Sequence, residues 1–137
     1  MLLDPSAFVA DPELLQALEN HAVSISSAGQ RLLFRQGDPA DGLYILIQGE
    51  ATLSMSAEGG QALMSIQATA GSLLGLPGLI GNQPYSLTAI ANTGAKVSYI
   101  ARGDFNALMQ SDPQLALKIL RVLAAEVRSA RLALAHL

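Results

Sequence analysis

Side-chain catalysis needs reactive groups that can converge, and this chain offers few. Its two imidazoles, His21 and His136, stand far apart and lack histidine or carboxylate neighbours at ligand spacing, so they imply neither a metal centre nor a general base. They read as incidental surface histidines. Ser26, Ser27 and Ser72 could act as nucleophiles only beside a general base and an oxyanion site, and with so few histidines they read as structural. The chain has no cysteine, which excludes disulfides, thiolate zinc sites and all-cysteine iron–sulfur clusters. A non-enzymatic protein without a metal is expected.

Charge excludes a second class of function. The net charge is -3, and the eight Lys and Arg residues are scattered from Arg31 to Arg131. No basic patch for a nucleic-acid backbone is implied. No apolar run approaches the roughly 18 residues that span a bilayer, and the start, Met1-Leu2-Leu3-Asp4-Pro5, has no signal-peptide pattern. A cytoplasmic protein without membrane contact is expected.

Half of the 137 residues are apolar and 14% are charged, which suits one compact domain. Asp11-Pro12 pairs a capping side chain with a proline at the first helical position, predicting a helix to Glu19 with Leu14, Leu15 and Leu18 buried. From Ala22 to Ala101 short apolar runs alternate with Gly, Pro, Asp and Asn, predicting strands at 23–25, 31–35, 43–48, 51–56, 61–67, 86–92 and 96–100. Ala57-Glu58-Gly59-Gly60 predicts a hairpin turn. Leu76 to Asn82, with three of seven residues Gly or Pro, predicts a turn and short helix that either lids a pocket or plugs it. A helical turn is expected over 104–109.

Asp112-Pro113 repeats the cap-and-proline start and opens an unbroken helical run of about 25 residues. Along it Ala116, Leu120, Leu123, Val127, Ala130, Leu134 and Leu137 follow at spacings of 4, 3, 4, 3, 4 and 3, a coiled-coil seam. Leu115, Ile119, Val122 and Leu132 widen its apolar surface beyond what one domain should cover, so a homodimer through this helix is expected. The alternative is an amphipathic helix folded onto its own domain. Lys118, Arg121 and Arg128 form a polar stripe that could meet Glu126 of a partner helix, or simply be solvated.

The run from Leu33 to Glu50, LFRQGDPADGLYILIQGE, resembles the signature of cyclic nucleotide-binding domains, and most closely the Crp/Fnr regulator branch. The resemblance continues through Gly71-Ser72-Leu73-Leu74-Gly75, Tyr85-Ser86-Leu87-Thr88-Ala89, Asp104-Phe105 and Asp112-Pro113, covering about residues 10 to 137. It implies an α+β, mainly β fold: a double-stranded β-helix, or jelly-roll-like β-roll, with short N-terminal helices and a long C-terminal dimerisation helix. Residues 1–110 would form the roll and its N-terminal helix, and 111–137 the dimerisation helix of the same domain.

The resemblance also implies a ligand pocket at Gly71, Ser72, Leu73, Leu74, Gly75, Tyr85, Ser86, Leu87 and Thr88, with Arg131 of the long helix either a further polar contact or part of a solvated face. In the family a glutamate holds the ribose and an arginine pairs with the cyclic phosphate. Here Ser72 and Tyr85 stand in those places, and Leu73 to Asn92 contains no Lys, Arg, Asp or Glu. Losing the charge-assisted partner of a buried phosphate costs on the order of 2 to 5 kcal/mol, so an apolar or neutral pocket is expected.

The stretch from Gly71 to Tyr85 is longer than in cyclic-AMP-binding members and resembles the fumarate–nitrate regulator branch, whose iron–sulfur chemistry needs cysteines. Three readings follow. The first is a homodimeric regulatory module that is ligand-free or binds another small molecule. The second is a cyclic AMP or cyclic GMP receptor with a divergent pocket, using N–H groups of Leu73 to Gly75 and the hydroxyls of Tyr85, Ser86 and Thr88. The third is the sensory part of a longer transcription regulator. The family's helix-turn-helix would follow the long helix, so no direct DNA binding is expected of residues 1–137.

Overall fold

The structure, a computed structural model, describes residues 4–25 and 28–135, with only the backbone at Leu134. Ser26, Ser27, His136 and Leu137 therefore lie outside the described residues, as does the Leu134 side chain.

Capping side chains start three helical segments. Asp4 accepts from the Ser6 N–H at 3.0 Å and opens a 3-10 turn, Pro5–Phe8. Asp11 accepts from Leu14 at 2.8 Å and opens α1, Pro12–Glu19. Asp112 accepts from Leu115 at 3.1 Å and opens α4, Pro113–Leu134. Each cap satisfies an N–H that the first turn leaves without a partner, and each is followed by proline, which has no N–H to satisfy.

Between them lie eight strands: β1 Val23–Ile25, β2 Arg31–Phe34, β3 Gly42–Gln48, β4 Ala51–Ser56, β5 Ala62–Ala68, β6 Leu73–Leu74, β7 Thr88–Ala91 and β8 Lys96–Ala101. Helices α2, Leu76–Gly81, and α3, Arg102–Ser111, complete the chain. The strands form two antiparallel sheets, ordered β1-β8-β3-β6 and β2-β7-β4-β5. They pack face to face as an eight-stranded jelly-roll sandwich, the fold class expected.

Strand β3 shows why the apolar run Leu43-Tyr44-Ile45-Leu46 does not alternate with polar residues. Leu43 and Ile45 point into a core shared with α1, α2, α3 and α4. Tyr44 and Leu46 point into the core between the sheets. Both faces of the strand are covered, so both must be apolar.

Two expectations shift in detail and one strand is added. The strand expected to begin at Ser86 begins at Thr88, the turn expected over 104–109 is the ten-residue α3, and β6 has no counterpart in the sequence reading. A two-residue strand carries no readable period.

The long helix carries two apolar stripes rather than one wide surface. Leu115, Ile119 and Val122 are buried in the core shared with the other helices and β3, Ala133 is buried near the N-terminal turn, and Lys118 pairs with Glu13 of α1 at 3.0 Å. Along the other face Leu120 and Val127 remain 45% and 44% exposed, and Leu117 and Leu132 are also open. Leu115, Ile119 and Val122, expected beside a dimer seam, are thus core residues; Leu120 and Val127 stay uncovered.

Candidate functional site

A chamber of about 170 Å3 lies between the sheets and α4. Phe34 at the end of β2 and Tyr85 form one wall, and Leu53 and Met55 of β4 form the next. Leu74, Gly75, Pro77 and Gly78 bring the β6–α2 segment to its edge, and Ser86 and Leu87 the approach to β7. Phe8 of the 3-10 turn and Glu126, Val127 and Ala130 of α4 complete it.

Backbone geometry sets the edge. Gly75 caps α2 with φ +94°, a conformation that residues with a Cβ rarely adopt. A Cβ there would also lie 2.7 Å from Tyr85 Cε1. Arg102 fastens the far end of α2, donating from Nε to the Ala40 carbonyl and from Nη1 to Asn82 Oδ1, both at 2.8 Å.

Tyr85 occupies the place where the resemblance puts an arginine, and its hydroxyl is bonded to the chain at Asp41 and Gly42. The oxygen accepts from the Asp41 and Gly42 N–H groups at 3.2 and 3.1 Å. Its proton has two acceptors in range, Gly42 O at 2.7 Å and Asp41 Oδ1 at 2.8 Å. Its ring stacks on Phe34 with centroids 3.9 Å apart. Burial drives the phenol's pKa well above its ordinary value, so it stays neutral. Tyr44, which tilts against Phe34, is pushed up to about 12, chiefly by burial.

Ser72, in the place of the ribose-binding glutamate, is fully buried and donates its hydroxyl to the Thr69 carbonyl at 2.6 Å. Its carbonyl accepts from Leu46 N–H, and neighbouring Gly71 donates to Leu46 O. Leu73 belongs to the helix-side core. Thr88 Oγ1 accepts from Gln36 N–H at 3.0 Å. Of the pocket residues expected from sequence, the structure brings Leu74, Gly75, Tyr85, Ser86 and Leu87 to the chamber. Gly71, Ser72, Leu73 and Thr88 stand outside its lining. Arg131 lies with Leu120, Leu123, Val127, Arg128 and Leu132 along a groove on the other face of α4.

Glu126 is the residue that the sequence reading misplaced. It does not project toward a partner helix: it is 7% exposed, lies in the chamber wall, and its Oε1 meets no hydrogen-bond partner. Burial pushes its carboxyl up from 4.5 to about 8, so at neutral pH it is largely the uncharged acid. The signal was helical spacing, since Leu115, Ile119, Val122 and Glu126 follow at steps of 4, 3 and 4.

No Lys or Arg among the described residues lines the chamber. These residues do not fit a cyclic phosphate held by a guanidinium. Among the described residues no three His, Asp or Glu side chains form a group that could hold a metal ion. No described helix is long and apolar enough to cross a membrane.

The roll, the β6–α2 segment and the helix bordering the chamber make up one domain, and sequence comparison assigns its family. Residues 26–112 match the family model of the cyclic nucleotide-binding domain. The chain belongs to this family, as a sensory domain of the kind found in Crp/Fnr-type regulators. It is similar to the catabolite activator protein of Thermus thermophilus, at 25% identity and a TM-score of 0.78 over 96% of this chain and 62% of that one. It is also similar to the N-terminal domain of a transcriptional regulator from Streptomyces coelicolor A3(2), at 26% identity and a TM-score of 0.66 over 93% and 91% of the two chains. The sensor domain of the regulator DNR from Pseudomonas aeruginosa shares the fold, at 22% identity and a TM-score of 0.66 over 88% and 81%. No curated protein sequence matches significantly.

Proposed function

We propose that the chain is a homodimeric, non-enzymatic effector-sensing module whose chamber does not take a cyclic nucleotide in the family's usual way. The carrying observation is Tyr85: where a cation would meet the phosphate, a neutral phenol ties down Asp41 and Gly42. An anion entering a chamber whose described lining has no cation would lose its hydration without replacement.

The long helix supplies the route outward. Val127 belongs both to the chamber wall and to the uncovered groove with Leu120 and Leu132. A second copy of α4 laid on that groove would cover the exposed stripe at coiled-coil spacing. Filling the chamber would then alter helix pairing, and so whatever the dimer contacts. In a Crp/Fnr-type regulator that contact would be a DNA-binding domain, and this chain spans 62% of the Thermus catabolite activator protein.

Isothermal titration with cyclic AMP and cyclic GMP tests the first part. No heat at millimolar nucleotide is expected, and saturable binding would overturn it. Light scattering tests the second: twice the chain mass is expected, and a monomer at high micromolar concentration overturns the pairing.

A further inference from the structure

We propose that the chamber binds an uncharged, ring-sized apolar molecule through a hydrogen bond to the Glu126 carboxyl group. This rests on the reading of the roll as an effector site and names the chemistry that site would accept.

Size comes first. Apolar cavities of about 150 Å3 admit a benzene ring, and this chamber, at about 170 Å3, is of that order. Its walls supply Phe8, Phe34, Leu53, Met55 and Leu74. Such surfaces favour a flat hydrocarbon body by contact and by exclusion of water.

One group in this wall has no structural explanation. A buried carboxyl with an unpartnered oxygen is costly, and a helix position facing an apolar core would be filled more stably by Leu or Met. Tyr85 and Ser72 also bury hydroxyls, but both are hydrogen-bonded within the fold. Glu126 Oε1 alone among buried described side-chain oxygens and nitrogens meets nothing. As the neutral acid, Glu126 carries one donor and free acceptor capacity, matching a ligand amide, hydroxyl or carbonyl.

Ligand charge follows from the same wall. An anion finds no described cation there. A cation would require Glu126 to ionise in the site that already opposes its ionisation. A neutral head group has neither cost.

Three probes sharing one ring separate these cases: benzamide, benzoate and benzylammonium, titrated into the intact chain at pH 7 and followed by methyl chemical shifts. Saturable shifts of Leu53, Leu74 and Val127 with benzamide, and none with the charged probes, are expected. Glu126→Gln, which keeps a donor and an acceptor, should bind benzamide nearly as well. Glu126→Leu should bind it roughly tenfold more weakly, the worth of one hydrogen bond.

Circular dichroism establishes that each variant is folded. Unchanged binding in Glu126→Leu, binding of a charged probe alone, or no binding by any probe would each overturn the inference. Its failure is separable from failure of the functional reading: silence from all three rings together with silence from cyclic AMP removes only this inference, whereas saturable cyclic AMP binding removes the functional reading.

Discussion

Tyr85 lies flat against Phe34, their ring centroids 3.9 Å apart and their planes 19° from parallel, while its hydroxyl holds the backbone at Asp41 and Gly42. One side chain thus serves as cavity wall at its ring and as turn brace at its tip. A guanidinium could not do both, because it cannot accept the two N–H groups.

Tyr85→Phe keeps the stack and removes the brace. The Asp41 and Gly42 N–H groups then lose their acceptor, and a destabilisation of about 1 to 3 kcal/mol is expected in urea unfolding. An unchanged midpoint would show that the brace contributes nothing.

Gly75→Ala forces a Cβ onto a backbone at φ +94° and against the Tyr85 ring. A loss of about 2 to 4 kcal/mol is expected from strain and overpacking together. Adding Tyr85→Ala should make the pair less than additive, because the second change removes the atom that the first one meets.

Glu126 makes stability depend on pH in a direction opposite to that of a salt-bridged carboxylate. Its folded pKa of about 8 stands above the ordinary 4.5, so between these values the folded state binds more protons than the unfolded one. Stability is then highest below pH 4.5 as far as this group is concerned, falls as pH rises, and levels above pH 8. Asp4, on the turn packed against α4, is held low by Ser6 and titrates below this window; Tyr85 titrates above it. Between pH 5 and pH 9 the wild type should lose roughly 3 to 5 kcal/mol that Glu126→Leu does not lose. Parallel profiles for the two proteins would contradict the burial of this carboxyl.

Leu120→Asp places a charge in the uncovered groove of α4 without touching the roll's core. A monomer by light scattering that keeps its circular dichroism is expected, with a thermal midpoint lowered by the lost association. Retention of double mass would place the pairing surface elsewhere.

The fold was legible where local chemistry is strong. Asp11-Pro12 and Asp112-Pro113 mark helix starts that the structure keeps to the residue, and the glycines at 59 and 60 mark the β4–β5 hairpin. The site was legible only in part. Tyr85 could be placed by resemblance, but its hydroxyl's bond to a turn forty-odd residues earlier is a tertiary fact that no local pattern carries. Glu126 was hidden by its charge. On a helix with two interleaved apolar stripes, a glutamate reads as surface, and only its register with Leu115, Ile119 and Val122 says otherwise.

The chamber is bordered both by Phe8 of the first helical turn and by Glu126, Val127 and Ala130 of the long helix, and the Asp4 N–H donates to Ser129 Oγ at 2.9 Å. On the ribosome the strands emerge and can pair long before α4 exists. Until that helix docks the hollow has no floor. A molecule that fills it can therefore lend its binding energy only once α4 has docked, and not to the pairing of the strands before it.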